Sequence, residues 1–262
     1  MDKLVVLCDK KTNYIYMHMD IGFSVFVKYN GFNILFDTGS KPGILEWNSE
    51  VCNVNLNNVD YVFISHNHWD HIGGSIYFID KNIKTNLVVC ENTDIYKDLK
   101  RKSQVYSNYF LKTLPTFEEV KKTFNIYYST KKDQVEKIEK DLPFLKILGP
   151  YKIPFTYPSL EQAILLKTRL GLVVLVGCSH FGIDNLVKEI VEMYKKDIYF
   201  LIGGFHLIDS PSKEIERLAG VLKEYVEFIA PAHCTGDRAE KIFKSVFKDR
   251  FIESKVGIEM LL

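Results

Sequence analysis

The stretch that decides the fold is "YVFISHNHWDHIGG", Tyr61 to Gly74, where three histidines and one aspartate fall within six residues. The run "YVFIS" in front of them is apolar throughout, which is typical of a strand that is buried on both faces. His66 and His68 are two apart in an extended segment and therefore project to the same side. Asp70 and His71 follow where a glycine pair predicts a turn into a helix. The stretch predicts a metal site at the end of a buried strand.

The residue types of this stretch set the chemistry of the predicted site. Imidazole nitrogens and carboxylate oxygens bind zinc-like ions at about 2.0–2.2 Å, provided that several of them converge. The spacing can serve two adjacent ions, with His66 and His68 on one and with Asp70 and His71 on the other. The chain has only seven histidines, so three of them beside an acid favour a metal site over a histidine-rich polar loop. One or two divalent cations are expected; Zn²⁺ is favoured, while Mg²⁺, Mn²⁺ or Fe²⁺ would also fit.

Further ligands are expected at a distance, because the local residues cannot complete two sites. Three other histidines each follow a predicted strand: His180 in "LVGCSHFG", His206 in "LIGGFHL" and His233 in "APAHCTG". Strand ends that meet at one edge of a sheet are where α/β active sites form. For each of them, the alternative is a structural histidine whose ring nitrogens are hydrogen-bonded within a turn. Because the same context occurs three times, metal ligands are favoured. His18 in "YMHMDIG" lacks this context and is interpreted as a strand or surface residue.

Composition and charge exclude some classes of protein. The chain is 47% apolar and 26% charged with a net charge of +1, so neither a nucleic acid nor a membrane is an expected partner. Residues 81–153 carry 15 Lys and Arg against 9 Asp and Glu and are predicted to form a basic insertion or lid over the site. The basic bias suits an anionic small-molecule substrate, but solvated lysines on a surface helix are the favoured explanation of it. Five scattered cysteines without a CxxC pair, and an N-terminal apolar run too short for a signal peptide, predict a cytoplasmic protein.

Hydrophobic patterning predicts an α/β fold built from two similar halves. Each half contains strands, a histidine-bearing loop and helices, and the dipeptide Asn30-Gly31 predicts a hairpin. A four-layer αββα sandwich in a single domain, 1–262, would bury these faces. Predicted strands lie at 4–8, 23–29, 32–39, 61–65, 87–91, 161–168, 172–178, 198–204 and within 228–236. Predicted helices lie at 94–102, 132–142, 183–196 and 211–226, the last capped by Ser210 or Ser212.

The motif "SHNHWDHIGG" resembles the HxHxDH signature of the metallo-β-lactamase superfamily, and Asp37 in "LFDTG" matches that family's upstream aspartate. The resemblance extends over the whole chain and implies the same αββα fold. It further implies that His233 takes the C-terminal histidine position and that His180 helps to complete the ligand set. Asp37 and Glu161 are then expected behind the ligands or against the substrate. The implied metal ligands are His66, His68, Asp70, His71, His180 and His233.

The chain departs from the superfamily pattern at two positions. Typical hydrolases carry a bridging carboxylate in a late "TGD", whereas Cys178 in "VGCS" is aligned here, and Glu161-Gln162 stands where they have a histidine. Loss of the bridging carboxylate weakens the case for a metal-bridged hydroxide. Strand alternation places Cys178 and His180 on one side. Cys178 is then either a thiolate ligand or a small, neutral side chain that lines the site. The neutral side chain is favoured because an exposed metal–thiolate would be open to oxidation.

The later motifs "GCSHFGIDN", "IGGFHL" and "PAHCTG" resemble a branch of the superfamily that joins a hydroxymethyl-dihydropterin diphosphate to an arylamine in methanopterin biosynthesis. The resemblance implies a transferase that releases pyrophosphate. The candidate catalytic residues are His206, to protonate the departing oxygen or hold a phosphate, and Asp70. The alternatives are a metal-dependent hydrolase of phosphodiesters, thioesters or lactones, and a metal-binding protein without turnover, against which the complete HxHxDH motif argues. Five aromatic residues either stack on a pterin or, as favoured here, pack in the core: Tyr106, Tyr109, Phe110, Tyr127 and Tyr128.

Overall fold

The structure is a computed structural model that describes residues 1–91, 96–98, 100, 114–153 and 159–262. Within the predicted single domain, the chain divides into two compact units. The first unit comprises Met1–Lys137 and Lys255–Leu262, and the second comprises Ile138–Ser254. Among the described residues, no helix is both long enough and apolar enough to cross a membrane.

The secondary structure alternates strands and helices along most of the chain. The strands of the described residues are β1 (Lys3–Cys8), β2 (Ser24–Tyr29), β3 (Phe32–Phe36), β4 (Tyr61–Phe63), β5 (Thr85–Val89), β6 (Phe124–Tyr128), β7 (Leu145–Lys152), β8 (Leu160–Lys167), β9 (Leu172–Val176), β10 (Ile198–Gly204), β11 (Val226–Ala232) and β12 (Glu259–Leu261). The α-helices bounded within the described residues are α1 (Pro42–Val51), α2 (Trp69–Ile72), α3 (Ile76–Asp80), α4 (Phe117–Thr123), α5 (Lys132–Asp141), α6 (Ile183–Tyr194), α7 (Ser212–Tyr225) and α8 (Asp237–Phe247).

The sheet of the first unit has the order β12-β1-β2-β3-β4-β5-β6 in the described part of the chain. Strands β12 to β3 pair antiparallel, and the predicted hairpin between β2 and β3 is confirmed, with positive φ at both Asn30 and Gly31. From β3 to β6 every neighbouring pair is parallel. Because parallel strands end at the same edge, Asp37 after β3 and Ser65 after β4 are brought together there.

The sheet of the first unit is buried on both faces, as its apolar sequence predicts. One face packs against α1, α2 and α3 through side chains such as Leu35, Leu45 and Ile72. Alternate residues of the same strands, such as Ile34 and Phe36, point to the opposite face and are also fully buried. The HxHxDH residues follow β4, at the end of this core.

The sheet of the second unit has the order β11-β10-β9-β8-β7 among the described residues. Strands β9, β10 and β11 run parallel, so the histidine-bearing loops that follow them lie at one edge. Helices α6, α7 and α8 cover one face of this sheet, with Val187, Leu218 and Phe243 in its core. Both units are therefore sheets flanked by helices, and the predicted α/β fold class is confirmed.

Some structural details differ from the expectations. The N-cap of α7 is Pro211, which offers no side-chain cap, and Ser212 is already helical. The described part of the segment 81–153 supplies β5 and β6 to one sheet and β7 to the other. Its role as a lid stays a prediction. The predicted helix 94–102, like Tyr106, Tyr109 and Phe110, lies wholly or largely outside the described residues. Helices α1, α4 and α8 and strands β6, β7 and β12 were not predicted.

Candidate metal centre

Asp37 organises the metal-binding motif of the first unit from behind. Its carboxylate is fully buried and accepts three hydrogen bonds, from the Ser65 backbone N–H, the Ser65 hydroxyl and Nδ1 of His71, each at 2.7 Å. A proton held on Nδ1 leaves Nε2 as the nitrogen that His71 offers to a metal. This carboxylate–histidine pair is the arrangement that supports metal-ligating histidines in general.

Ser65 determines which ring nitrogen of His66 carries the proton, as Asp37 does for His71. The Ser65 hydroxyl donates to Asp37 and therefore accepts from Nδ1 of His66, which lies 2.9 Å away. With its proton on Nδ1, His66 also offers Nε2 as its ligand atom. Nε2 of His66 lies 2.8 Å from Nδ1 of His68, so the two imidazoles converge on one point, as the predicted ligand pair requires.

The remaining motif residues lie close to this pair. The rings of His66 and His71 are 4.2 Å apart, and a carboxylate oxygen of Asp70 lies within 4.8 Å of a ring nitrogen of His71. Asp70 and His71 belong to the short helix α2. The Asp98 carboxylate accepts a hydrogen bond from the backbone N–H of Trp69 at 3.1 Å and so anchors the start of that helix.

A glycine pair allows α2 to sit directly on the loop that follows β3. A Cβ on Gly73 would lie 2.1 Å from the Ser40 carbonyl oxygen, and one on Gly74 would lie 1.9 Å from the Thr38 carbonyl oxygen. The backbone N–H and hydroxyl of Thr38 both donate to the His71 carbonyl oxygen, at 2.8 and 2.9 Å. The two glycines are therefore required for close backbone approach, which sets the position of His71 relative to the strand ends.

Glu161 organises the loop after β9 in the second unit. One carboxylate oxygen accepts from the backbone N–H groups of Cys178 and Ser179, and the other from the backbone N–H and Nδ1 of His180, all at 2.8 Å. Burial alone would raise the pKa of Glu161, but the hydrogen bonds from His180 and the backbone hold that pKa below its ordinary value. His180 is thereby fixed with Nε2 as its ligand atom, as Asp37 fixes His71.

Five possible donors of the second unit gather around Cys178. One ligand atom each of Cys178, His180 and His206 lie within 4.8 Å of one another, and the same holds for Cys178, His233 and Cys234. Cys178 is 3% exposed and His206 is exposed. Ser179, His206 and His233 all have positive φ, so the chain turns sharply after each strand and brings these side chains back together.

A hydrogen bond between His206 and Cys234 changes the pKa of both side chains. The bond between His206 and Cys234 raises the pKa of His206, against the opposing effect of burial. Burial by itself would raise the pKa of Cys234, but hydrogen bonds with Cys178 and His206 and the proximity of His233 hold it well below its ordinary value. The cluster thus combines cysteine sulfur with imidazole donors, a donor set that suits zinc-like cations.

The structure brings the sequence-predicted residues together in two sets, one in each unit. The first set is Asp37, His66, His68, Asp70 and His71; the second is Glu161, Cys178, His180, His206 and His233. His18 is exposed on the loop between β1 and β2. Sequence reasoning missed Ser65, Asp98 and Cys234. Only Cys234 carried a usable signal, since it directly follows a predicted ligand.

A family model of the metallo-β-lactamase superfamily matches residues 19–180, and the chain therefore belongs to that superfamily. The predicted family and its αββα fold class are confirmed. The chain is 29% identical over 261 residues to the 7,8-dihydropterin-6-methyl-4-(β-D-ribofuranosyl)-aminobenzene-5'-phosphate synthase of Methanocaldococcus jannaschii, with 90% of this chain and 87% of the synthase covered. It is also 29% identical over 259 residues to an uncharacterised protein of the same archaeon, with 90% and 91% covered.

Among solved structures, a metal-dependent hydrolase of the β-lactamase superfamily has a TM-score of 0.74 and 26% identity to this chain. The match covers 100% of this chain and 99% of the hydrolase. Superfamily membership and the similarity to the synthase support an enzyme that acts on a small molecule.

Proposed function

We propose that this protein is a metal-dependent transferase that condenses a hydroxymethyl-dihydropterin diphosphate with an arylamine, ribofuranosylaminobenzene phosphate, and releases pyrophosphate. The observation that carries the proposal is the similarity to the archaeal synthase over 90% of the chain. The position of Cys178 supports it, since a thiol stands where typical hydrolases of the superfamily carry the bridging carboxylate. Methanopterin biosynthesis is the corresponding pathway.

The proposed ligands of one or two divalent cations, with Zn²⁺ favoured, are those that the family resemblance implies. Hydrogen bonds within each unit support the ligands that the unit contributes. Asp37 and Ser65 set the ligand atoms of His71 and His66, and Glu161 sets that of His180. The six ligands are His66, His68, Asp70, His71, His180 and His233.

The reaction forms a C–N bond between the arylamine and the pterin methylene carbon and breaks the C–O bond to the diphosphate. A bound divalent cation supplies charge neutralisation for the departing pyrophosphate. His206 is suited to give a proton to the departing oxygen or to hold a phosphate oxygen, because it is exposed and its pKa is raised. The amine proton leaves as the C–N bond forms, and Asp70 is the catalytic carboxylate proposed to assist.

The test is arylamine-dependent release of pyrophosphate. The metal-loaded protein is incubated with the pterin diphosphate, with and without ribofuranosylaminobenzene phosphate, and pyrophosphate and the coupled product are quantified. Release that requires both substrates and is lost in the His66→Ala/His68→Ala variant supports the transferase. No release with either substrate alone or with both contradicts it.

A metal-dependent hydrolase is the second candidate, and the 26% identical hydrolase structure favours it. The same preparation is therefore assayed against phosphodiesters, thioesters and lactones. Metal-dependent turnover of one of these classes, without pyrophosphate release from the pterin diphosphate, would assign the hydrolase.

A further inference from the structure

The described part of the second unit holds two thiols beside a predicted metal ligand. Cys178 follows β9 and is 3% exposed, while Cys234 follows β11 and is half-buried. The ligand atoms of Cys178, His233 and Cys234 all lie within 4.8 Å of one another. The other cysteines, Cys8, Cys52 and Cys90, belong to the first unit.

We propose that Cys178 and Cys234 are thiolate ligands of the cation that His233 holds, so that the donor set around it is Cys₂His. This inference rests on the metal binding in the proposed function. It replaces the expectation that Cys178 is a neutral side chain that only lines the site. A Cys₂His set leaves one coordination position for water or substrate, as in catalytic zinc sites with three protein ligands. Soft sulfur ligands select Zn²⁺, Co²⁺ or Fe²⁺ and disfavour Mg²⁺.

The backbone makes room for the second sulfur. A Cβ on Gly204, the last residue of β10, would lie 2.5 Å from the Gly177 carbonyl oxygen, 2.6 Å from Sγ of Cys234 and 3.3 Å from Cα of Cys178. Glycine at this position therefore lets Cys234 reach over β10 toward Cys178, and Sγ of Cys234 lies 3.8 Å from the Cys178 carbonyl oxygen. Alanine would crowd both the Gly177 carbonyl oxygen and this sulfur, and so would displace the sulfur.

The surroundings hold both thiols in position. Glu161 accepts the backbone N–H of Cys178 at 2.8 Å and fixes the turn on which Cys178 lies. His206 is hydrogen-bonded to Cys234 and gives its sulfur a partner that remains compatible with metal binding. Cys178 is thus held by a buried carboxylate and Cys234 by an exposed imidazole.

The test is the optical spectrum of the cobalt-loaded full chain. Purified under reducing conditions and loaded with Co²⁺, the protein should show a sulfur-to-cobalt charge-transfer band. Cys178→Ser and Cys234→Ser should each remove about half of that band, because each removes one of two thiolates. Gly204→Ala should weaken the band by displacing Cys234. Cys52→Ser is the matched control, since this half-buried thiol lies in the first unit, and it should leave the band unchanged.

Each other outcome overturns the proposal. Cobalt bound at full stoichiometry without a charge-transfer band excludes thiolate ligands, and failure to bind cobalt excludes the site. A band that responds to only one of the two substitutions excludes the second thiol. Circular dichroism of each variant verifies that the fold is retained. The pyrophosphate assay is independent of this spectrum, so the substrate assignment and the ligand assignment fail separately.

Discussion

The carboxylate of Asp37 lies 2.7 Å from Nδ1 of His71, and neither side chain has any exposed surface. Because Asp37 holds the proton of His71 on the nitrogen that faces away from the proposed metal, it acts through this histidine. Asp37→Asn is expected to lower metal affinity about 10- to 100-fold while the chain remains folded. Competition with a chromogenic chelator measures the affinity.

The control for Asp37→Asn is Asp60→Asn. Asp60 also accepts a backbone hydrogen bond in the first unit, from Asn33 at 2.8 Å, but it precedes β4 and so lies at the opposite end of that strand from the motif. Equal metal affinity in the two variants would contradict a positioning role for Asp37.

The double variant His66→Ala/His68→Ala is expected to lose metal and activity and to keep its circular dichroism spectrum, because both residues follow the core strand β4 and lie outside the hydrophobic core. Elemental analysis gives the metal content. His18→Ala changes an exposed histidine of the same unit and should behave as the unsubstituted protein. Full metal content in the double variant would refute the ligand assignment.

Two glycine substitutions should have opposite effects on stability. Gly74→Ala places a methyl group 1.9 Å from a backbone oxygen and is expected to lower the free energy of unfolding by about 1–3 kcal/mol or more. Gly220→Ala, inside α7 with open space around it, should raise that free energy by about 0.5–1 kcal/mol. Urea denaturation compares them. A neutral Gly74→Ala would mean that α2 does not depend on close contact with the loop after β3.

Glu161→Gln is expected to destabilise the second unit. The glutamine NH₂ group would face backbone N–H donors of Cys178, Ser179 and His180, which need an acceptor. The negative charge of Glu161, which strengthens these hydrogen bonds, would also be lost. The expected decrease in the free energy of unfolding is about 2–3 kcal/mol. Glu189→Gln, at a carboxylate bonded to the exposed hydroxyl of Tyr151, should cost much less. A similar loss in both variants would argue against the role of Glu161 in the turn.

Stability should fall at alkaline pH partly through Cys52. Burial raises the pKa of this thiol from 9.0 to about 11, against the opposing effect of Lys3. Between these values the folded chain keeps the proton and the unfolded chain releases it, so the free energy of unfolding decreases as pH rises through this window. Cys52→Ser should therefore lose less stability than the unsubstituted protein between pH 9 and 11. A difference between the two that does not change with pH would contradict this.

Local patterns made the motif of the first unit predictable. His66, His68, Asp70 and His71 are close in sequence, and a strand that ends in a glycine-paired turn brings them together without long-range information. Ser65 was missed because serine is common at strand ends; its role arises only from the parallel pairing of β3 and β4, which places it against a residue 28 positions away.

The donor cluster of the second unit was harder to predict, because its residues lie in tight turns, where the alternation of side chains along an extended strand does not hold. Strand alternation correctly expects Cys178 and His180 to be near each other, since their ligand atoms lie within 4.8 Å, but it is the positive φ of Ser179 that shapes this turn. Alternation would separate His233 from Cys234. The short 3-10 turn at His233–Thr235 keeps both near Cys178 instead.

The left-handed backbone after four strands limits which amino acids these positions can accept, whatever their chemistry. Asp37, Ser179, His206 and His233 have φ between 47° and 58°. Glycine adopts this conformation readily, and asparagine, aspartate and histidine are enriched in it, while β-branched residues strongly disfavour it. In a randomised library, valine and isoleucine should be eliminated by misfolding, whereas asparagine should be recovered as folded but inactive protein. At these positions, a selection for soluble protein and a selection for catalysis would therefore retain different amino acids.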